Sequence, residues 1–122
     1  MPHDNVNRIG TEAEETALRF LERQGLQLLA RNYRSRRGEI DLIMREGNFL
    51  VFVEVRYRKH DRYGSPAESV TAKKQQRILN AAARYLQDAR GKSPAPCRFD
   101  VVALSAEREN IDWIRDAFQA VT

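Results

Sequence analysis

The chain has 122 residues with a formal net charge of +4, and 42% of them are apolar, so it can bury one core but not a second ordinary domain. The longest apolar run, 49–53, is far below the ~20 residues that cross a bilayer, and the first residues lack an export-signal pattern, so we expect a cytoplasmic protein outside the membrane. One Cys and two His exclude an internal disulfide and a zinc cluster, which leaves oxygen ligands for any metal ion.

The first third of the chain predicts a helix and a strand. Apolar residues at helical spacing indicate a helix over about 12–24, ended by Gly25, and we expect residues 1–10 to be flexible. The Leu-rich segment 26–33, which a polar arginine-rich run follows, predicts a first strand.

A β-hairpin is the clearest local pattern in the sequence. Residues 39–44 and 49–57 are strand-like, and the tetrapeptide Arg45–Asn48 between them favours a turn. The polar segment 58–69 that follows contains Gly and Pro and predicts a loop.

The second half of the chain predicts another helix and further strands. Thr71 is a suitable N-cap for a helix over about 71–89. Residues 99–104 then predict a strand, 111–114 a short added strand, and 116–121 a terminal helical turn. The whole pattern indicates one α/β domain.

Two carboxylates interrupt the apolar strands of the hairpin. Side chains alternate along a strand, so Glu54 and Arg56 share one face. With residues 46–47 as the central turn, Asp41 pairs with Phe52 and lies diagonal to Glu54, at the ~7–8 Å that two carboxylates bridge around one divalent cation. Oxygen ligands favour Mg²⁺ or Mn²⁺, which can activate water beside a phosphate. The alternative is that both acids only pair with arginine on a solvated face.

Two helical residues extend this candidate site, and each has a purely structural alternative. Glu14 belongs to a capping-box pattern that begins at Thr11, yet it also falls on the packed face of the first helix, where it would complete a metal site. Lys74 lies one turn before Ile78 on the inward face of the second helix, where it either orients water or phosphate or covers the core edge with its stem. Asp100 faces either this cluster or a solvated edge.

Basic residues concentrate in the middle of the chain. Residues 31–97 carry 15 Lys and Arg against 7 Asp and Glu, whereas 1–30 and 98–122 each carry 3 against 5. Such a surface favours the phosphate backbone of nucleic acid as a partner, although a solvated surface rich in arginine is the alternative. The nucleic-acid-binding residues predicted from these clusters are Arg34, Arg36, Arg37, Arg58, Lys59, Lys73 and Arg77.

The segments Gly38–Ile43 and Val51–Arg58 resemble the bacterial YraN-type family of small nuclease-like proteins. The resemblance extends to both predicted helices and to Arg98–Val102, so it covers nearly the whole chain. That family is similar to the PD-(D/E)xK nuclease superfamily, particularly to archaeal-type Holliday-junction resolvases. The resemblance therefore implies a restriction-endonuclease-like αβββαβ core, with a central mixed sheet flanked by helices, which is also the order of the predicted elements.

The resemblance also implies roles for individual residues. Asp41 takes the place of the first acid of the motif, Glu54-x-Arg56 fills the (D/E)xK half, and Glu14 joins Asp41 and Glu54 in the metal shell. Arg56 stands where the superfamily has Lys, and a permanently charged planar guanidinium suits a phosphate clamp better than a position beside a nucleophilic water. Lys74 is the alternative source of that lysine.

These roles define a first expectation and two alternatives. The first is an endonuclease that depends on Mg²⁺ or Mn²⁺ and acts on structured or branched DNA, as a homodimer by analogy with resolvases. The second is a non-catalytic nucleic-acid-binding module that lost turnover through Arg56. The third is a protein-interaction adaptor in which the acids are structural.

Overall fold

The computed structural model describes residues 2–58, 70–89, 96–105 and 110–119, with only the backbone for 2–9. The predicted order of one helix, three strands, a helix and a strand is confirmed, and a fifth strand follows. The elements are α1 (Pro2–Arg23), β1 (Gln27–Ser35), β2 (Gly38–Glu46), β3 (Phe49–Arg58), α2 (Ala72–Asp88), β4 (Cys97–Ser105) and β5 (Asn110–Phe118).

The five strands form one mixed sheet in the order β1-β2-β3-β4-β5. Neighbours are antiparallel except β3 and β4, which are parallel and are connected through α2. Two parallel strands need such a long connection because the chain must return from the end of the first strand to the start of the second, at the opposite end of the sheet. The predicted central mixed sheet flanked by helices is therefore present in this α/β fold.

Each helix covers one face of the sheet and forms its own core. The α1 core joins Leu18 and Leu21 to Val51 and Val53 of β3, and the α2 core joins Ile78 to residues such as Phe52 and Phe99. Successive residues of β3 therefore pack in opposite cores, because side chains alternate between the two faces of a strand and both faces of β3 are buried. No helix in the described ranges is long and apolar enough to cross a membrane.

Helix α1 begins at Pro2, about ten residues before the predicted start, so residues 2–10 are helical. Proline is well tolerated in a first helical turn, and Gly10 costs a helix only about 1 kcal/mol, which packing can offset. The predicted end is confirmed: Gly25 has a φ of +97°, and the N–H of Leu26 donates to the carbonyl of Leu21. This is a Schellman-type end, for which glycine is the usual residue.

The hairpin of β2 and β3 is confirmed, with its turn one residue later than predicted. Glu46 pairs with Phe49, so Gly47 and Asn48 are the central turn residues rather than residues 46–47. Gly47 has a φ of +58°, a conformation that costs glycine little and glutamate more, and this places the turn. The shift moves the partner of each β2 residue by two positions along β3, which preserves the faces of both strands.

Strand β5 extends well beyond the predicted 111–114, and the helical turn predicted over 116–121 is wrong for 116–118, which are strand residues. Residues 120–122 lie outside the described part of the chain. Phe118 stacks on Phe99 of β4 with 5.2 Å between ring centroids, so a contact distant in sequence holds this segment extended.

Asp100 fastens β5 to the sheet rather than facing the carboxylates of the hairpin. It is fully buried and accepts hydrogen bonds from Arg98 Nε at 3.0 Å, Trp113 Nε1 at 2.9 Å and the N–H of Asp116 at 2.9 Å. Asp116 has a φ of +54°, where the pairing of β4 and β5 is irregular. A buried carboxylate with this many donors has its hydrogen-bonding capacity met, which indicates a structural role.

We predict that Asp100→Asn lowers the free energy of unfolding by about 3 kcal/mol, because it removes the buried carboxylate that Arg98 Nε contacts, leaving Arg98 with Glu46 alone among the described carboxylates, and presents an amide to the Trp113 N–H. Urea denaturation would measure the change. Asp112→Asn, at an exposed position of β5, is the control and should stay within about 0.5 kcal/mol of the parent. Equal stability of the two variants would contradict the anchoring role.

Candidate functional site

Asp41 and Glu54 lie side by side where the pairing of β2 with β3 ends. The last ladder pair is Leu42 with Val53, and the next residue along each strand is Asp41 and Glu54. There the side chain of Asp41 replaces the backbone ladder, because its Oδ2 accepts a hydrogen bond of 2.8 Å from the N–H of Val55. The two acids, here called the acid pair, are thus adjacent rather than diagonal as predicted.

The acid pair occupies an irregularity in the sheet. Ile40 packs in the α2 core and Leu42 in the α1 core, although residues two apart in a regular strand share a face. In β1, Asn32 lies between the residues that pair with Leu42 and Ile40, and it has a φ of +49°. Asparagine tolerates this left-handed conformation better than most residues do. Both strands therefore deviate from the regular pleat beside Asp41.

Burial makes Glu54 an unusual carboxyl group. Its side chain is only 3% exposed, and Oε1 receives no hydrogen bond from any described donor. Burial, followed by the charge of Asp41 and a hydrogen bond to it, raises the pKa of Glu54 to about 9. A proton on Glu54 allows it to donate to Asp41, so without a cation the acid pair holds that proton.

Two cations lie beside Glu54 without forming close hydrogen bonds to it. Lys74 Nζ is 3.7 Å and Arg56 Nη1 is 3.9 Å from Glu54 Oε2. Lys74 lies closer to Glu39, whose Oε1 is 3.3 Å from Nζ, and Arg77 Nη2 is 3.8 Å from the same oxygen. The predicted inward position of Lys74 is confirmed, and both cations lower the pKa of Glu54 against the larger effect of burial.

Glu39 belongs to this site, although the sequence pattern did not predict it as a site residue. It orients Lys74 and contacts Arg77, both from the first half of α2. The available signal was its position two residues before Asp41 in the same strand. That signal was weak because the residues that give Glu39 its role lie about 35 positions later in the chain.

Glu14 lies near Asp41 but does not converge with the acid pair. The capping box that began at Thr11 is excluded, because Thr11 lies inside α1. Glu14 is half-buried and hydrogen-bonds the side chain of Asn32, and burial followed by the charge of Asp41 raises its pKa. Among the described residues, no three Asp, Glu, His or Cys side chains gather as a metal-binding group. The structure therefore brings together two of the three predicted metal ligands.

The predicted nucleic-acid-binding residues that the structure describes lie at three places in the fold. Arg34, Arg36 and Arg37 line a groove beside α2. Lys73 is exposed in the first turn of α2, and Arg77 follows one turn later. Arg58 is half-buried at the end of β3, and Lys59 lies outside the described ranges.

Comparison with known proteins identifies the family. Residues 13–104 match the model of a family described as "Uncharacterised protein family UPF0102". The chain belongs to the UPF0102 family. It is 54% identical over 110 residues to a UPF0102 protein of Nitrosomonas europaea, which covers 89% of this chain and 92% of the relative. A UPF0102 protein of Pseudomonas savastanoi is 45% identical over 98% of this chain and 100% of the relative.

Within this UPF0102 fold, the acid pair fits a hard divalent cation. Oε1 of Glu54 is a buried acceptor without a donor among the described residues, and Asp41 accepts from the Val55 N–H through Oδ2 while it faces the Glu54 carboxyl group. Two facing carboxylates repel each other unless a proton or a cation lies between them. An all-oxygen pair of this kind is the chemistry that Mg²⁺ and Mn²⁺ prefer.

We predict that Glu54→Gln stabilises the metal-free protein at alkaline pH. Folding raises the pKa of Glu54 from 4.5 to about 9, so the folded chain keeps a proton that the unfolded chain releases between these values. Raising the pH across this window therefore lowers the free energy of unfolding, by at most ~1.4 kcal/mol per pH unit. Glutamine carries no such proton, so the variant loses this pH dependence.

The measurement is urea denaturation in EDTA at several pH values between about 4.5 and 9. Glu22→Gln, at an exposed position of α1, is the control and should keep the pH dependence of the parent. If the curves of the parent and of Glu54→Gln run parallel, Glu54 does not hold the proton.

Proposed function

We propose that this UPF0102 protein is a divalent-metal-dependent endonuclease with a restriction-endonuclease-like fold that acts on structured or branched DNA. One observation carries the proposal: Glu54 is buried with an unpartnered oxygen directly beside Asp41. Burying Glu54 beside a second, half-buried acid is costly for folding alone, and such perturbed groups cluster at functional sites. The α-β-β-β-α-β order and the mixed sheet are compatible with the implied nuclease core.

In this proposal Asp41 and Glu54 are the metal ligands. A bound Mg²⁺ or Mn²⁺ supplies Lewis-acid polarisation of a phosphate and lowers the pKa of a coordinated water. Glu14 interacts electrostatically with Asp41 and hydrogen-bonds Asn32, so in this proposal it adds negative charge near the site without being a ligand in the observed side-chain positions. The rigid central strands hold the two ligands in place, which is what a precise site requires.

In this proposal Lys74 and Arg56 share the role that one lysine has in the superfamily motif. Lys74 reaches the acid pair from α2, and Glu39 orients its ammonium at 3.3 Å. Its compact charge suits the position beside the attacking water, whereas the planar Arg56 guanidinium suits a phosphate oxygen. The side chain of Arg56 is 38% exposed, so it can meet a substrate from solvent.

A non-catalytic nucleic-acid-binding module is the second candidate. Two observations favour it: Arg56 occupies the motif lysine position, and Glu14 does not converge with the acid pair among the described residues. Such a module would bind DNA in a salt-sensitive manner and leave it intact. The acid pair would then lower the stability of the protein without taking part in catalysis.

The deciding experiment is Mg²⁺- and Mn²⁺-dependent cleavage of labelled linear, flapped and four-way-junction DNA. We expect cleavage by the parent, with a preference among these substrates, and a loss of at least about 100-fold in Asp41→Asn. Asp112→Asn removes the same charge from an exposed site and should cut like the parent. If the protein binds DNA without added metal ion and cleaves none of the substrates, the nuclease proposal is rejected and the binding module remains.

If cleavage is found, the two cations can be separated. We predict that Lys74→Gln lowers kcat by about 10²- to 10³-fold, since it removes a fixed charge beside the reacting groups. Arg56→Gln should mainly raise KM, because it removes a phosphate contact that exists before the transition state. Rate measurements at saturating metal give both constants, and the opposite pattern would assign the motif lysine's role to Arg56.

A further inference from the structure

A basic groove runs between the β1–β2 turn and the second half of α2. Its volume is about 790 Å³. It is lined on one side by residues 33–37, from the end of β1 through the β1–β2 turn, and on the other by α2 residues between Asn80 and Asp88. Its cationic residues, which define the arginine groove, are Arg34, Arg36, Arg37 and Arg84.

One acid lies in the lining of the arginine groove, and it is already engaged. Asp88 Oδ2 accepts from Arg84 Nε at 3.2 Å and from the Tyr33 hydroxyl at 3.4 Å. The lining therefore contains four arginines and one carboxylate, and it carries a net positive charge even though Arg34 also interacts with Glu14 outside the groove. An anion is the complementary occupant, and arginine binds phosphate oxygens with two parallel donors.

Contacts between β2 and α2 fix the walls of the arginine groove relative to each other. A Cβ on Gly38 would overlap the carbonyl oxygen of Arg77, so the strand meets the helix at van der Waals distance. One turn further along α2, Asn80 Nδ2 donates to the Arg37 carbonyl at 3.4 Å. The turn that carries two of the arginines is thereby attached to α2, and the groove exists before any ligand binds.

The arginine groove is continuous with the acid pair along one face of α2. A polar stripe at helical spacing connects them, and it begins beside Lys74, which is 3.7 Å from Glu54. The helix rises about 21 Å along the stripe, which equals the axial rise of about six nucleotides of one strand in a double helix, at ~3.4 Å each. The residues of the stripe are Lys73, Arg77, Asn80, Arg84 and Gln87.

We propose that the arginine groove binds the phosphodiester backbone of the nucleic acid strand that leads away from the acid pair. The inference rests on the proposed function for its direction, since the stripe begins at the proposed cleavage site. A linear track of donors with the reach of several nucleotides matches a chain of phosphates better than a single small anion. The neutral donors Asn80 and Gln87 fit contacts to phosphate and sugar, which position a strand without reading its sequence.

The test measures binding of a fluorescent single-stranded 12-mer in EDTA over a series of salt concentrations. The double variant Arg36→Gln/Arg84→Gln should lose about tenfold or more in affinity, and its slope of log affinity against log salt should be shallower by about 1.4, or ~0.7 per lost phosphate contact. The matched control Arg19→Gln/Arg23→Gln removes the same charge from exposed positions of α1, on the other face of the sheet. The control should keep the slope of the parent.

Further measurements separate the outcomes. Arg36→Lys/Arg84→Lys should restore most of the salt slope, and unfolding midpoints equal to that of the parent show that the variants are folded. If the α1 control loses the same amount of slope, binding depends on the overall charge of the protein and the groove proposal is wrong. If the parent binds a nucleoside monophosphate tightly and the groove variant does not, the groove is a site for a small ligand rather than for a nucleic acid strand.

The groove and the nuclease can fail independently. If the groove variant weakens binding while no DNA substrate is cut, the arginine groove stands and the nuclease proposal falls. If DNA is cut with the expected dependence on Asp41 while the groove variant binds and cuts like the parent, the nuclease stands and the groove falls.

Discussion

The burial of Glu54 against Asp41 is the constraint around which the centre of this protein is organised. Two carboxylates adjoin at the end of a strand ladder, one of them almost completely buried, and their repulsion is relieved by a proton, by two nearby cations, or by a bound metal ion. The sheet deviates from a regular pleat at this point: Asn32 has a left-handed conformation, and Ile40 and Leu42, two residues apart in β2, pack in different cores. Strain and buried charge at one place are usually tolerated for function, which is why the acid pair supports the nuclease proposal.

The protein contains a second buried carboxylate with the opposite character. Asp100 lies in β4, on the face that packs against α1, and it is saturated by an arginine, an indole and a backbone amide. Glu54 lies on the other face and retains an acceptor without a donor. Satisfaction by hydrogen bonds, rather than burial itself, distinguishes a structural acid from a candidate functional one.

The position of α2 links the chemistry of the acid pair to the basic surface. Its first turns bring Lys74 to Glu54, and its outer stripe continues to the groove beside the β1–β2 turn. The close approach of Gly38 to the Arg77 backbone holds the helix against β2, so the same packing positions the lysine and the arginines. Helix α2 therefore lines both the surroundings of the acid pair and the arginine groove.

The sequence by itself determined the order of the elements, the hairpin, the N-cap of α2 at Thr71, and the shared face of Asp41 and Glu54, because these depend on periodicity and on residues close in the chain. The one-residue difference in the turn did not alter that face, since strand side chains alternate with a period of two. Only the tertiary structure decided the start of α1, the length of β5, the anchoring role of Asp100 and the contact of Glu39 with Lys74. Each of these depends on partners distant in sequence, such as Phe99 for Phe118, and neither local propensity nor spacing encodes which distant residues meet.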